Sequence, residues 1–171
     1  MRYKKKNNSP IIEVIDNFLP EDNFKVLQKT IMTPVTFPWY YVPTLSDAGD
    51  LKEYYFIHFF YESIDHPPSQ FFPLIKKLLF KLRCRALLRA KANLYLSTPK
   101  ICEHEIHFDF VDESKACILF INTNNGYTRI GNKKILSVAN RAVLFPSKLH
   151  HRSTSCSDQQ TRVNISINYY V

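Results

Sequence analysis

The sequence predicts an α+β fold in which a small β-sandwich or jelly roll carries helices against one of its sheets. After residue 91, eight short β-prone segments follow one another in about eighty residues, separated by turn signals such as TNNG and IGNKK. Before residue 91, helical and aromatic β-prone segments are mixed. We therefore expect a single domain over 1–171, with an N-terminal α/β support region over 1–91 and a jelly-roll core over 92–171.

The first half of the chain contains the segments expected to support the core. IIEVIDNF is typical of a strand, and PEDNFKVLQKTIM is typical of a helix because Pro20 and two acids occupy its first turn. Phe24, Leu27 and Ile31 share one face of that helix and should be buried. FPWYY and EYYFIHFFY are aromatic and β-prone, and VPTLSDAGD between them predicts a loop.

A long basic helix is expected over residues 69–91, SQFFPLIKKLLFKLRCRALLRAK, where apolar residues recur at helical spacing. Basic residues recur there at every fourth position: Lys77, Lys81, Arg85 and Arg89. This spacing predicts a basic stripe along the helix. A solvated face is the simplest interpretation of the stripe, and nucleic-acid binding through the basic helix over 76–91 is the alternative.

Composition narrows the classes of function. The 171 residues include only 3 Gly, and no glycine-rich phosphate-binding pattern occurs, which excludes nucleotide-binding loops of that kind. The net charge of +8 is compatible with an acidic partner. The 4 Cys lack paired spacing, which favours reduced thiols in the cytoplasm, or in the host cytoplasm if the chain is viral. We expect no membrane association, because neither a signal region nor a spanning apolar run occurs.

The segment HEIHFDF, residues 104–110, contains a metal-binding pattern. On a strand, residues i and i+2 project from the same face, so His107 and Asp109 would direct an imidazole and a carboxylate to one point. His104 has the opposite parity, and we expect it to be exposed to solvent, with a supporting position beside the metal ligands as the alternative. A lone H-x-D pair is weak on its own, so a third ligand must come from elsewhere in the chain.

The remaining histidines differ as candidates for that third ligand. His58 lies in an aromatic strand and is expected to be packed in the core, and His66 precedes two prolines and is expected in a loop. His150 and His151 are adjacent, so only one of them can face inward on a strand. Two histidines and one carboxylate on one face of a metal form the facial triad of non-haem Fe(II) oxygenases, in which the other coordination positions stay open.

In its second half the chain resembles the Fe(II)/2-oxoglutarate-dependent oxygenases, in particular small phage-type and prolyl-hydroxylase-like members. The matching elements occur in order: NLY, the H-x-D pair, FINTNNGYT, NRAVLFPSKLHH and RVNISINYY. The first half, with VIDNFL, FPWYY, an aromatic strand and a helix, is also similar to the front of small phage-type members. The resemblance implies a double-stranded β-helix, or jelly roll, with N-terminal helices packed on one sheet, and makes 92–171 the catalytic core.

The resemblance also implies the principal site residues. It selects His151, at the end of FPSKLHH, as the third iron ligand beside His107 and Asp109. Arg162, in RVNISIN, matches the arginine that grips the distal carboxylate of 2-oxoglutarate. The physical chemistry agrees, because a planar guanidinium can donate two parallel hydrogen bonds to one carboxylate.

Three further residues are implied as contacts of the cosubstrate. Asn93 and Tyr95 match the N-x-Y that contacts 2-oxoglutarate in some branches of the family. Core packing is the alternative for both, because aromatic side chains on strands are usually buried. Asn164 stands where relatives have Ser, and its amide can still donate a hydrogen bond.

The implied activity is that of a 2-oxoglutarate-dependent non-haem iron dioxygenase that uses O₂ to hydroxylate a C–H bond. We expect the substrate to be a protein or peptide side chain such as proline, because Arg162 is not followed by the second arginine of DNA-repair relatives. A nucleobase or a small metabolite is the alternative substrate. From a different class, the alternative is a non-catalytic β-sandwich module that binds nucleic acid.

Overall fold

The computed structural model describes residues 12–33, 35–43 and 54–171, so most of the expected loop VPTLSDAGD lies outside the described residues. The elements follow in this order: β1 (Glu13–Ile15), α1 (Glu21–Met32), β2 (Tyr40–Val42), β3 (Tyr55–Tyr61), a 3-10 turn (Phe72–Ile75), α2 (Lys76–Lys81), β4 (Ala86–Leu96), β5 (Lys115–Phe120), β6 (Tyr127–Ile130), β7 (Lys133–Leu136), β8 (Ala142–Pro146), β9 (His151–Arg152) and β10 (Thr161–Tyr170). In this part of the chain, no helix is both long enough and apolar enough to span a membrane.

Within the described residues, the strands form two sheets. The larger sheet has seven strands in the order β1-β8-β5-β10-β4-β3-β2, and the smaller has three in the order β7-β6-β9. Every pairing is antiparallel. The predicted α+β class, a double-stranded β-helix with helices packed on one sheet, is confirmed. The predicted boundary after residue 91 falls within β4, and the division into support region and catalytic core stays a prediction.

The two faces of the larger sheet have different chemistry, because successive side chains on a strand point to opposite faces. One face packs on α1 and α2 through an apolar core that contains Leu27, Leu78 and Ile165. The other face turns toward the smaller sheet. Part of that face is apolar, with Ile118 of β5 packed in a cluster that includes Ile130 of β6. The rest of it is polar and forms the site described below.

The first helix matches the prediction from sequence. α1 begins after Pro20, with two acidic residues in its first turn, and its buried residues are Phe24, Leu27 and Ile31. Burying one apolar side chain of this size stabilises the folded protein by about 1.5–3 kcal/mol. α1 is therefore held by packing on the larger sheet. His58 is also buried as predicted, with its ring nitrogens bonded to the Pro38 carbonyl oxygen and the Ser69 hydroxyl.

The long helix predicted over 69–91 is wrong. The 3-10 turn and α2 end at Lys81, and Arg83 then adopts a left-handed backbone with a φ of 54°. β4 begins at Ala86 and continues to Leu96. Successive side chains of ALLRAKANLYL point to opposite faces of the sheet. Ala90 points to the apolar face and is completely buried in the core that contains Leu78 of α2. In the residues before β4, the apolar side chains recur at helical spacing. The helical pattern and the strand pattern overlap along the sequence, which is why the sequence predicts one long helix.

The basic helix over 76–91, and with it the proposed helical surface for nucleic acid, is therefore also wrong. Lys77 and Lys81 lie on α2, whereas Arg89 lies in the middle of the larger sheet. Arg89 forms an ion pair with Asp109 at 2.7 Å. The predicted stripe is thus divided between two elements that point in different directions.

Asn140 ties the segment before α1 to the turn between β7 and β8. Its side-chain oxygen accepts a hydrogen bond from the Leu19 backbone N–H, and its amide donates to the Leu19 carbonyl oxygen, each at 2.8 Å. The residue is buried and has a φ of 62°. Asparagine adopts this left-handed conformation more readily than most residues.

Replacing Asn140 with alanine should lower the free energy of unfolding by about 2–4 kcal/mol, because both polar backbone groups of Leu19 lose their partner in a buried position. Chemical denaturation measures the change. Exposed Asn132, in the turn between β6 and β7, is the matched control, and its replacement with alanine should change stability by less than about 0.5 kcal/mol. Equal effects of the two substitutions would contradict this role of Asn140.

Candidate functional site

Three potential metal ligands converge on the polar side of the larger sheet. His107, Asp109 and His151 each offer one ligand atom, and these atoms lie within 4.8 Å of one another. Oδ2 of Asp109 is 3.8 Å from Nε2 of His151, and the two imidazole rings are 4.5 Å apart. This is the ligand set of the facial triad. The structure therefore brings together the three residues selected from the sequence.

A short antiparallel bridge sets the position of the H-x-D segment. The backbone N–H of His107 donates to the carbonyl oxygen of His151 at 2.9 Å, and the reverse hydrogen bond is 2.8 Å. The N–H of Asp109 donates to the carbonyl oxygen of Ser147 at 3.1 Å. The strand expected at the H-x-D pair is therefore wrong in extent, because within this pair only His107 forms a bridge and no longer strand follows. The bridge places His107 directly opposite His151.

Of the two adjacent histidines, His151 faces the other ligands. It is buried, and its Nδ1 lies 3.0 Å from the carbonyl oxygen of Leu149. This contact assigns the ring proton to Nδ1 and leaves Nε2 free on the side of Asp109. Burial lowers the pKa of His151, which favours the neutral form that binds metals. His150 is exposed, and its ring packs against Phe108.

Asp109 is surrounded by hydrogen-bond donors from the larger sheet. Nη2 of Arg89 donates to Oδ1 at 2.7 Å, and Nδ2 of Asn168 donates to Oδ2 at 3.0 Å. Burial raises the pKa of Asp109, but its interactions with the His151 imidazole, the Arg89 guanidinium and the Asn168 amide outweigh that effect, so that the pKa lies below its usual range. Asp109 is therefore an ionised carboxylate at neutral pH.

Arg162 is completely buried on β10, with 0% of its surface exposed. Its guanidinium donates to the Ser137 hydroxyl at 2.8 Å, to the Thr128 hydroxyl at 2.9 Å and to the Thr154 carbonyl oxygen at 3.3 Å. All three partners are neutral, and none of the described carboxylates lies within ion-pair distance. Burial lowers the pKa of Arg162 to about 10, so the group remains charged at neutral pH. An uncompensated buried charge of this kind is costly.

A narrow pocket of about 50 Å³ lies between the triad and the hydroxyl of Thr128. That hydroxyl accepts a hydrogen bond from Arg162. The sequence-predicted contacts Asn93, Tyr95 and Asn164 all line it. Nδ2 of Asn93 donates to Oδ1 of Asn164 at 2.9 Å, while Oδ1 of Asn93 is buried and has no hydrogen-bond partner among the described residues. The Tyr95 ring lies 5.5 Å from the guanidinium carbon of Arg162. A second cavity of about 390 Å³, the vestibule, adjoins this pocket, and the residues that line both are Lys91, Tyr95, His107, Asp109 and Ser153.

His104 is buried, and the prediction that it is exposed is wrong. Its ring packs against Tyr95 at a tilt of 38° with the ring centroids 5.0 Å apart, and its Nδ1 lies 2.7 Å from the Ser153 hydroxyl. Burial and the nearby charges of Arg162 and His107 lower the pKa of His104 to about 3. His104 is therefore neutral at physiological pH and acts as a packing partner of Tyr95.

Sequence reasoning missed three side chains at this site. The sequence predicts Arg89 and Lys91 within the long helix and indicates no role for Asn168. Arg89 and Asn168 bond to Asp109, and Lys91 lines both the pocket and the vestibule. The signal that could have found Arg89 and Lys91 is the alternation of polar and apolar residues in RAKANLY, which has the period of a strand.

Solved structures provide a comparison for the whole fold. A Pseudomonas putida prolyl-4-hydroxylase matches with a TM-score of 0.63 and 14% identity, covering 94% of this chain and 92% of that one. A Burkholderia pseudomallei oxidoreductase of the 2OG-Fe(II) oxygenase family matches with a TM-score of 0.60 and 11% identity, covering 94% and 84%. This chain has the 2-oxoglutarate oxygenase fold.

A third structure with this oxygenase fold contains a bound peptide. It is a Trichoplax adhaerens prolyl hydroxylase in complex with a hypoxia inducible factor oxygen degradation domain peptide fragment. It matches with a TM-score of 0.61 and 13% identity, covering 93% of this chain and 83% of that one. No protein-family model and no curated protein matches the sequence. The predicted phage-type subgroup therefore stays a prediction.

Gly126 lies directly against the side chain of Arg162. A Cβ atom at this position would be 2.6 Å from Cδ of Arg162, 2.6 Å from the Ser155 carbonyl oxygen and 2.8 Å from Oδ1 of Asn124. At Gly131, in contrast, a Cβ atom would meet nothing within 4 Å, although the φ of 53° is left-handed. The two glycines thus separate steric crowding at Arg162 from backbone strain alone.

Replacing Gly126 with alanine should lower the free energy of unfolding by about 2–3 kcal/mol, because the buried arginine and a backbone carbonyl must both shift. The same change at Gly131 should cost about 1 kcal/mol, from left-handed strain alone. Parallel chemical denaturation of the two variants measures the difference. If Gly126→Ala were the milder change, the packing described around Arg162 would be wrong.

Proposed function

We propose that this protein is an Fe(II)- and 2-oxoglutarate-dependent dioxygenase that hydroxylates a protein or peptide side chain. The proposal rests on one pairing of features. A triad of two histidines and one carboxylate lies at one end of the pocket, and a buried arginine with only neutral partners is held beside the other end. A metal and a dianion together would satisfy both ends, and 2-oxoglutarate is a dianion that can chelate iron.

The protonation states of the triad suit a divalent metal. Asp109 is ionised because Arg89 and Asn168 bond to it, and His151 is neutral because it is buried. His107, Asp109 and His151 would hold Fe(II) through one atom each. The bound iron and 2-oxoglutarate would supply the oxidising chemistry with O₂, and the protein would supply geometry and exclusion of water.

Arg162 would bind the distal carboxylate of 2-oxoglutarate. Its present partners Ser137 and Thr128 accept hydrogen bonds from it through hydroxyl oxygens, and each hydroxyl still has a proton to donate. Thr128 lines the pocket, so its O–H can donate to an incoming carboxylate while it orients the guanidinium. Asn93, Tyr95 and Asn164 line the same pocket, and we include them as further contacts of the cosubstrate.

A peptide substrate is favoured by the shape of the entrance and by one comparison. The vestibule beside the triad is open and larger than the inner pocket, and Phe108 on its lining is 44% exposed. A large exposed aromatic side chain at the mouth of a pocket is suited to contact a second chain. The Trichoplax adhaerens neighbour holds a peptide. Proline is the side chain that we propose first.

An anaerobic visible spectrum tests the cosubstrate site without knowledge of the substrate. A weak charge-transfer band should appear only when Fe(II) and 2-oxoglutarate are both present. His107→Ala should abolish the band, because it removes a metal ligand, and Arg162→Met should weaken 2-oxoglutarate binding at least about tenfold, since it removes a charged hydrogen-bond donor.

The matched control is His150→Ala, because His150 is exposed and adjacent to a proposed ligand. This variant should retain the band at full intensity. Circular dichroism of each variant establishes that it is folded. Absence of the band in folded wild-type protein that contains iron would remove 2-oxoglutarate from the proposed function. Persistence of the band in folded His107→Ala would instead contradict the proposed ligand set.

A further inference from the structure

Lys91 presents an ammonium group to the vestibule. It lies on β4 between Arg89 and Asn93 on the polar face, opposite Ser166 of β10 and Phe59 of β3. Its side chain lines both the inner pocket and the vestibule. Nζ lies 6.0 Å from the ring centroid of Tyr55, on the side of the vestibule. Among the described residues, no carboxylate or hydrogen-bond acceptor pairs with it.

The other cations of the site already have partners or a proposed ligand. Arg89 is paired with Asp109. Arg162 is held beside the inner end of the pocket, where it would bind the distal carboxylate of 2-oxoglutarate, and the metal would bind the other end of that molecule. Neither the metal ligands nor the proposed cosubstrate therefore neutralises the charge of Lys91.

The Lys91 ammonium remains charged in this environment. Burial and the nearby charge of Arg89 lower its pKa to about 8, and Asp109 acts in the opposite direction. The group is thus mostly protonated at neutral pH. A partly desolvated ammonium with no acceptor is unfavourable, and an anion that enters the vestibule would relieve that cost.

We propose that Lys91 binds a carboxylate of the primary substrate, which therefore carries an acidic group close to the carbon that is oxidised. This inference rests on the proposed dioxygenase function and specifies its substrate class. One ammonium matches one negative charge, and Glu105 on the vestibule lining disfavours a second. A carboxylate is thus a better match than a phosphate dianion. The source is either an acidic residue of a peptide or a free carboxylic acid.

Anaerobic titration calorimetry of the protein with Fe(II) and saturating 2-oxoglutarate tests this proposal with matched probes. The peptide probes are short capped peptides with a central proline, flanked at each position by Asp or Glu, or by Asn or Gln. The free-acid probes are N-acetylaspartate and its amide counterpart N-acetylasparagine. At least one acidic probe should bind about tenfold more tightly than its amide partner, as a charged hydrogen bond provides. Whether that probe is a peptide or a free acid identifies the source.

Variants then assign the preference to the side chain. Lys91→Met should abolish the preference for acidic probes, and Lys91→Arg should retain it because the positive charge remains. Lys115→Met is the matched control, because Lys115 is an exposed lysine at the start of β5. It should leave the preference unchanged. Lys91→Gln serves as a second neutral variant, and thermal unfolding establishes that each variant is folded.

Three results would overturn the role of Lys91. One is equal binding, or no binding, of every acidic probe and its amide partner. Another is a preference that survives in folded Lys91→Met or Lys91→Gln. The last is a tenfold weaker binding of 2-oxoglutarate by these variants in a spectral titration, because Lys91 would then serve the cosubstrate. Failure of the dioxygenase function itself is distinguished beforehand, since the wild-type charge-transfer band would then be absent.

Discussion

The guanidinium of Arg162 is enclosed by two hydroxyls, one carbonyl oxygen and two aromatic rings, and none of the carboxylates that the structure describes lies beside it. Burial of a charge without a counter-charge costs several kcal/mol, and neutral hydrogen bonds recover only part of that cost. Gly126 must lack a side chain for the arginine to lie where it does. Such an arrangement is unfavourable for a purely structural residue, and the anion that we propose to bind there would offset the cost.

The position of this arginine depends on the pairing of two long strands. β4 and β10 run antiparallel in the centre of the larger sheet, and every second residue of each faces the smaller sheet. These residues form a polar ladder, in which the opposed pairs are Tyr95 with Arg162, Asn93 with Asn164, Lys91 with Ser166 and Arg89 with Asn168. The ladder runs from the proposed carboxylate site to the donors that hold Asp109. The intervening residues belong to the apolar core under the helices.

Much of this arrangement could be predicted from sequence, because short-range patterns determine it. The acids and apolar face of α1, the turn signals after residue 91 and the order of H-x-D, His151 and Arg162 are all local features. The secondary structure over 69–91 was predicted wrongly, because helical periodicity and strand periodicity both occur in this segment. Apolar residues there suit a helix up to Leu82, and the change to a strand depends on the left-handed Arg83, which no residue preference indicates. The error removed Arg89 and Lys91 from the predicted site.

The burial of individual polar residues could not be predicted from the sequence either. His104 and His107 are three residues apart, but only a tertiary contact with Tyr95 and Ser153 buries His104. The extent of the H-x-D strand was overestimated for a related reason, since its backbone has one bridge to His151 and then turns toward Ser147. The His107 side chain still points toward Asp109 and His151, because the bridge to His151 sets the orientation of its backbone.

An anaerobic crystal structure with Mn(II) and 2-oxoglutarate tests the central claim most directly. Anomalous scattering locates the metal independently of any assumption about its ligands. We expect one metal position bound by His107, Asp109 and His151, with the distal carboxylate of 2-oxoglutarate hydrogen-bonded to Arg162. A metal bound at other residues, or 2-oxoglutarate whose distal carboxylate lies away from Arg162, would contradict it.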